Sequence, residues 1–398
     1  MIKKIIIIFL IIVLYASAEK RIIIFETSYS NNYTLYAVND LVKKNILLYS
    51  DFDIVPNNNI KAENYKSIKS KIKDLTLKNN ADVSVTYDIL RYKKEFILNY
   101  VIFDKSKSNI WLEKRLYSKE DKLFESINQM LKDIYDYTSV YNSKVYIKED
   151  EYISLIGYYS QKIHEAEESK NIYDVFFNFY KDNIYFNIDY LDYLVLKSDR
   201  TAVDNIKIIT DNMNKKLDKN NHYYLSALGD YYYSRYKVNV IPEDIELSIE
   251  NYIKAIDAKK NNYIYYKKLA NAYILKNDYD NAAKSYNRAI EIYDKDTALM
   301  KDAVYLLKRD MNKNGNLVIE YLKKIIDVNK NDDEALENLA QIYDTLGDKY
   351  NSEIYYNKLL DAVNYNLYII NNENPNPVLY DRYMKKRNEV SKKLNSFK

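Results

Sequence analysis

A spacing of 34 to 35 residues recurs through the C-terminal half of this 398-residue chain, from Ala255 to Ala289, Lys324 and Leu359. Leu228-Gly229 with Tyr232 is matched by Leu269-Ala270 with Tyr273, by Ala303-Val304 with Leu307, and by Leu339-Ala340 with Tyr343. Each set is followed by a second one: Ser248, Tyr252, Ala255; Ala282, Tyr286, Ala289; Leu317, Tyr321, Lys324; and Ser352, Tyr356, Leu359. A unit this short cannot bury its apolar face alone and has to stack on its neighbours. With only four glycines and four prolines in the chain, few positions break a helix, so each unit reads as a pair of helices.

This pattern resembles the tetratricopeptide repeat, whose first helix carries Trp-x2-Leu-Gly-x2-Tyr and whose second carries Ala, an aromatic residue and Ala. The best copy is 263–296, with Tyr266 at the Trp position, then Leu269, Ala270, Tyr273, Ala282, Tyr286 and Ala289. Small residues let the paired helices cross closely, so Lys324 makes 297–331 a weaker copy. The copy from His222 has extra residues between its helices, from Tyr236 to Asp244, and Pro242-Glu243-Asp244 suits a helix start. Residues 183–216 read as a degenerate copy, with Phe186, Tyr193, Ala202, Ile206 and Ile209; residues 151–181 read as helical but without a register. Pro375 and Pro377 interrupt the chain before a polar closing helix over 378–398, the cap that a stacked array needs.

The resemblance implies an inner face made by the first helices, along which a peptide or a partner helix lies. The family's inner positions fall on Tyr223, Ser226, Asp230 and Tyr233; on Ile264, Lys267, Asn271 and Ile274; on Lys301 and Tyr305; and on Glu337 and Gln341. Lys267 with Asn271 matches part of the family's carboxylate clamp, although the next repeat has Asp302 where the clamp has Asn.

The N-terminal half reads differently. Arg21–Phe25 and Phe52–Val55 are short apolar runs of strand type, each followed by helical spacing, over 33–48 and 61–77. Three period-two segments, 81–90, 96–103 and 110–117, precede a helix over 123–137, so a mixed sheet covered by helices is expected. The stretches "LVKKNILLYSDFDIV" and "NADVSVTYDIL", with Phe103, Asp104 and Trp111 around a turn, resemble TolB N-terminal-like domains. That resemblance implies a docking module rather than a catalytic one.

Met1–Lys4 carries two lysines, 5–15 is uninterrupted apolar sequence, and Ala16-Ser17-Ala18 follows. This is the order of a secretory signal peptide cleaved after Ala18. As a helix, 5–15 spans about 16 Å, short of a hydrocarbon core of about 30 Å. The expected layout is therefore a signal peptide over 1–18, an α/β domain over 19–140, a helical region over 150–216, repeats over 217–366 and a capping helix over 375–398. A periplasmic or envelope location follows from it.

The 60 basic and 57 acidic residues nearly cancel, which gives no general attraction to nucleic acid. Without cysteine there are no disulfides, thiolate metal sites or thiol nucleophiles. His164, in "HEAEE", lacks the second His of a zinc-protease helix, and His222 reads as a surface residue. Gly157, Gly229, Gly315 and Gly347 are too scattered for a phosphate loop, and no Ser has the flanking glycines of a nucleophile elbow. No catalytic residue, metal ligand or cofactor is expected. The sequence reads as a non-catalytic interaction scaffold that binds an envelope protein or peptide, with peripheral membrane association compatible with it. The alternative is an envelope protein that binds a small ligand or polysaccharide, stacking sugars on clusters such as Tyr231-Tyr232-Tyr233.

Overall fold

The computed structural model describes residues 20–25, 33–50, 52–55, 65–92, 95–107, 111–119, 122–138, 147–150, 152–153, 172–372 and 376–397. The segment expected to be a signal peptide, 1–18, and His164 lie outside these residues. The chain divides into two compact units, one extending to Asn262 and one from Tyr263 to Lys398.

The first unit opens on strand β1 (Arg21–Phe25), helix α1 (Tyr33–Tyr49), β2 (Asp53–Ile54), α2 (Tyr65–Lys78), then β3 (Val83–Tyr92), β4 (Glu95–Asp104), β5 (Trp111–Lys119) and α3 (Leu123–Thr138). The sheet order is β2-β1-β3-β4-β5. Strand β1 runs parallel to both β2 and β3, whereas β3, β4 and β5 form an antiparallel meander. This is the mixed sheet that the sequence implies. Strand β1 is apolar without alternation because both of its faces are covered. Ile22 and Ile24 join the core under α1 and α3, while Ile23 and Phe25 pack against Ile68 and Ile72 of α2.

That first core does not stop at α3. It continues through α4 (Ile172–Tyr180), α5 (Ile184–Lys197), α6 (Arg200–Lys216) and into α7 (His222–Asn239). Polar contacts tie the two parts together. Lys44 of α1, 6% exposed, contacts Asp40 at 2.6 Å, Asp189 of α5 at 2.9 Å and the Tyr185 carbonyl at 2.8 Å. The Asn221 side chain caps α7 and also donates to the Leu48 carbonyl at 2.7 Å. Residues 183–216 fold as the helix pair α5–α6, with Phe186, Ala202, Ile206 and Ile209 fully buried.

Helices α7 and α8 (Pro242–Ala258) form the pair expected from His222 onward. The extra residues do not make a loop. Helix α7 runs to Asn239, 18 residues against 13 for the first helix of the next pair, so the insertion is spent as additional helix.

The second unit holds three pairs: α9 (Tyr263–Leu275) with α10 (Tyr279–Ile292), α11 (Thr297–Leu307) with α12 (Met311–Val328), and α13 (Asp333–Thr345) with α14 (Lys349–Asn372). Helix α15 (Pro377–Asn395) closes the unit; Val390 is its buried residue, and Tyr383, Met384 and Leu394 pack beside it on α13 and α14.

Candidate partner-binding surface

Two of these pairs turn in the same way. Between α9 and α10, Asn277 takes the left-handed conformation at φ 62°, and Asp278 N donates to the Tyr273 carbonyl at 2.9 Å. Between α13 and α14, Gly347 does so at φ 75°, and Asp348 N donates to the Tyr343 carbonyl at 2.9 Å. Asp278 and Asp348 then cap the second helix by accepting from the backbone of Asn281 and Asn351. A left-handed residue followed by a capping acid reverses the chain within a few residues.

The middle pair departs from this. A 3-10 turn, Lys308–Asp310, leads into α12 with no left-handed residue. The seam of α12 runs through Val318, Leu322 and Ile325; of the expected Leu317, Tyr321 and Lys324, Tyr321 is buried as expected, while Leu317 and Lys324 are only partly buried. Both triplets have the 4-then-3 spacing, and 317–318 and 321–322 are each apolar pairs, so periodicity alone does not separate them. The turns of all three pairs span three residues, and the shift is taken up at the start of α12 instead. Lys324 lies outside the seam, pairing with Glu320 at 2.8 Å.

The first helices of the second unit are linked by a ladder of ion pairs in which a lysine on one helix meets an acid on the next. Lys267 of α9 reaches Asp302 of α11 at 3.5 Å. Lys301 of α11 reaches Asp332, the N-cap of α13, and Glu334, both at 2.9 Å. Lys386 of α15 takes Asp333 and Glu337 at 2.6 and 2.8 Å, and Lys393 takes Asp344 at 2.8 Å. Partial burial disfavours the charge on Lys301, but its bonds to Asp332 and Glu334 outweigh that and hold its pKa above the ordinary lysine value. Helix α15 thus stands where a further first helix would, supplying the cations for the acids of α13.

The ladder decides the fate of several expected groove residues. Lys267 lies 3.5 Å from Asp302, and Asn271 accepts from the Tyr286 hydroxyl at 2.7 Å. Ile274 is half-buried against the core of the second unit. Lys301 and Glu337 are ladder members. Tyr305 is 82% exposed, and Gln341 is exposed with its amide 3.5 Å from Glu337.

In the first unit the expected positions behave otherwise. Tyr223 is buried in the core shared with the sheet, and Ser226 is 1% exposed. Asp230 is fully buried and accepts from the Tyr252 hydroxyl at 2.7 Å. None of the three faces solvent. Tyr233 is half-buried, and its hydroxyl is held in the neutral form by burial and by Asp230. Tyr231 and Tyr232 lie 5.2 Å apart with the Arg235 guanidinium 5.3 and 5.2 Å from their ring centres, so they are not an open stacking platform. His222 is buried rather than superficial, and burial together with Lys259 lowers its pKa to about 3. Among the described residues no cluster of three potential metal ligands occurs, and no helix is long and apolar enough to cross a membrane.

Two cavities open beside the ladder. One of about 110 Å³ lies between α11 and α13 and is lined in part by Lys301, Tyr305, Lys308 and Asn338. The other, about 490 Å³, lies between α12 and α13 and shares Lys308 and Asn338 with the first. Its remaining walls are Met311, Gly315 and Ile319 on one side and Gln341, Ile342 and Leu346 on the other, with Asn312, Lys313, Asn316 and Thr345. Lys308, Asn338 and Gly315 were not among the expected positions. Gly315 was not readable: it matches Ile245 of α8 and Tyr279 of α10, three residues before the seam, only once the seam of α12 starts at Val318, whereas counting from the expected Leu317 gives Asn314.

The tetratricopeptide repeat family model matches residues 264–296 and 333–362, the two pairs that share the left-handed turn. No curated protein sequence matches the chain. Among solved structures, MamA is similar at 18% identity over 40% of this chain and 89% of its own, with a TM-score of 0.31. YrrB, described as "a TPR protein with an unusual peptide-binding site", is similar at 16% identity over 48% of this chain and 91% of its own, also with a TM-score of 0.31.

Proposed function

We propose that this chain is an exported, non-catalytic scaffold of the cell envelope that holds a partner polypeptide against the first helices of its second unit. The two tetratricopeptide repeats support an interaction role. The observation that carries the choice of face is the contrast within it: the charged residues neutralise one another between helices, while Tyr305 stands 82% exposed on the wall of the cavity between α11 and α13. A large aromatic side chain presented on a rigid helix loses little entropy on binding and serves well as an anchor.

The leader-like N-terminus and the cysteine-free composition support export, and the α/β domain is then a second docking module. Site-specific photocrosslinking in the native cell tests the assignment. A benzophenone amino acid at Tyr305 is expected to capture a partner protein from the envelope fraction, whereas one at Glu353, exposed on α14, is not. Equal labelling from both positions, or none from Tyr305, rejects the face. Mass spectrometry of the mature N-terminus tests cleavage after Ala18.

A further inference from the structure

We infer that the cavity beside Gly315 is a specific pocket for an extended peptide segment of a partner protein, in which an aliphatic side chain enters the cavity and a nearby carboxylate meets Lys308. This rests on the scaffold reading above and adds the chemistry of what is held.

Three observations converge. The first is the void. Gly315 lies inside a helix, where glycine is a poor residue, and its conformation does not demand one. A Cβ at Gly315 meets nothing nearer than the Met311 methyl at 3.7 Å. The equivalent positions of α8, α10 and α14 hold Ile245, Tyr279 and Lys349, and the cavity beside Tyr279 is about 390 Å³ against about 490 Å³ here, so the glycine leaves the wider opening. Its floor and rim are Ile319, Ile342 and Leu346; Leu346 is 66% exposed, and water touches apolar surface that a ligand would cover.

The second is charge. Among the cavity's lining residues there is no Asp or Glu, but there are Lys308 and Lys313, the second of them paired with Asp280 at 2.5 Å. Lys267, Lys301, Lys386 and Lys393 each meet a carboxylate on another helix of the ladder. Lys308 instead donates to the neutral amide oxygen of Asn338 at 2.7 Å, and among the described residues no carboxylate is paired with it. An incoming acid therefore gains a charge-assisted bond without breaking an ion pair. The third is the amide lining. Asn312, Asn316 and Gln341 offer both donors and acceptors, the complement of an extended peptide backbone. A volume of about 490 Å³ lies in the range of sites that enclose small ligands, enough for one anchoring side chain and its flanking backbone.

The test uses the full chain and three fluorescein-labelled nonapeptides followed by fluorescence polarisation. Each has a central Leu or Ser, flanked by alternating Ser with either Asp or Lys. The Asp-flanked Leu peptide is expected to bind at least about tenfold more tightly than its Lys-flanked or Ser-centred counterparts. Gly315→Leu fills the void and is expected to weaken that peptide by about tenfold or more, and Lys308→Glu to invert the preference for Asp over Lys. Glu353→Gln, exposed on α14 outside the pocket, should bind as the wild type does; a cooperative thermal unfolding transition shows that each variant folds. Indifference to the flanking charge, or to Gly315→Leu, overturns the pocket. So does self-association that Gly315→Leu abolishes, since the occupant is then a second copy. If Tyr305 crosslinks its partner equally in the Gly315→Leu chain, the scaffold stands and the pocket falls. If the peptides bind as expected and Tyr305 captures nothing, the chosen face fails and the pocket remains.

Discussion

Gly229 on α7 lies so close to the ring of Tyr252 on α8 that a methyl group added to it would sit 2.4 Å from Cε1 and 2.5 Å from Cδ1. The ring cannot retreat: Tyr252 is 1% exposed, and its hydroxyl is anchored on buried Asp230. Ser248 completes the crossing by donating to the Gly229 carbonyl at 3.0 Å. The small residue of the Leu-Gly pair is therefore required by helix approach and not by backbone conformation.

Gly229→Ala and Gly315→Ala should consequently shift stability in opposite directions. In an open helical site, the exchange gains up to about 1 kcal/mol from helix propensity. At Gly229 that gain is overridden by overpacking, for a net loss of about 1–3 kcal/mol. At Gly315 nothing opposes it, and a gain of about 0.5–1 kcal/mol is expected. Urea midpoints of the two variants, measured side by side, check both signs.

Lys44→Met should destabilise the first unit severely. It leaves Asp40 and Asp189, themselves only partly exposed, without the buried cation they share between α1 and α5. Breaking a buried ion pair from one side costs about 3–5 kcal/mol, most of it the stranded charge. Burial works against protonation of Lys44, yet the two carboxylates raise its pKa above the ordinary lysine value, which marks their attraction as the stronger effect. Replacing Asp189 by Leu in the Lys44→Met background should restore part of the loss. Equilibrium unfolding of the single and double variants measures that coupling; simple additivity would show that the contact does not weld the helices to the sheet.

His222 should make the protein acid-sensitive. It faces Lys259 and the Leu47 backbone, with Asp53 3.7 Å from the Lys259 ammonium, and its pKa falls from 6.5 to about 3. Between those values the unfolded chain binds a proton at this imidazole and the folded chain does not. Stability from this residue is thus fully present above pH 6.5 and is lost as the pH falls towards 3. Carboxylates titrate in the same window, so the informative quantity is a difference. The gap in unfolding midpoint between wild type and His222→Gln should narrow or reverse as the pH drops from 7 to 4. A constant gap would mean that the imidazole is not the sensor.

How much of this was legible depends on whether a residue's role is fixed by its neighbours in sequence. Strand β1 was readable because burial on both faces leaves an unbroken apolar run, and Ala282, Tyr286 and Ala289 because a seam repeats at fixed spacing. The α12 register was not, since adjacent apolar residues at 317–318 and 321–322 satisfy the same period and only packing against the neighbouring helices selects between them. Buried charges were the least visible. Asp230 takes its role from Tyr252, Lys44 from Asp189, and Asp244, which reads as a helix-start acid, is fully buried as the partner of Arg235. Each partner lies on another element, so the local pattern of the acid or lysine is that of a solvated helix face.

Val240 supplies the last expectation. It ends α7 in the left-handed conformation at φ 53°, where its amide donates to the Tyr236 carbonyl at 2.8 Å. Asn277 and Gly347 end their helices with residue types that tolerate this region, but a β-branched side chain there is strained by about 1–2 kcal/mol. Val240 is 66% exposed, so replacing it forfeits little packing. Val240→Asn should therefore stabilise the first unit by about 1 kcal/mol. Val240→Gly should gain less, because the relief is offset by the larger entropy of glycine in the unfolded chain. Val240→Ala, which keeps the Cβ but loses the branch, should fall between wild type and Val240→Asn. A urea midpoint for Val240→Asn at or below that of the wild type would show that the turn stores no strain.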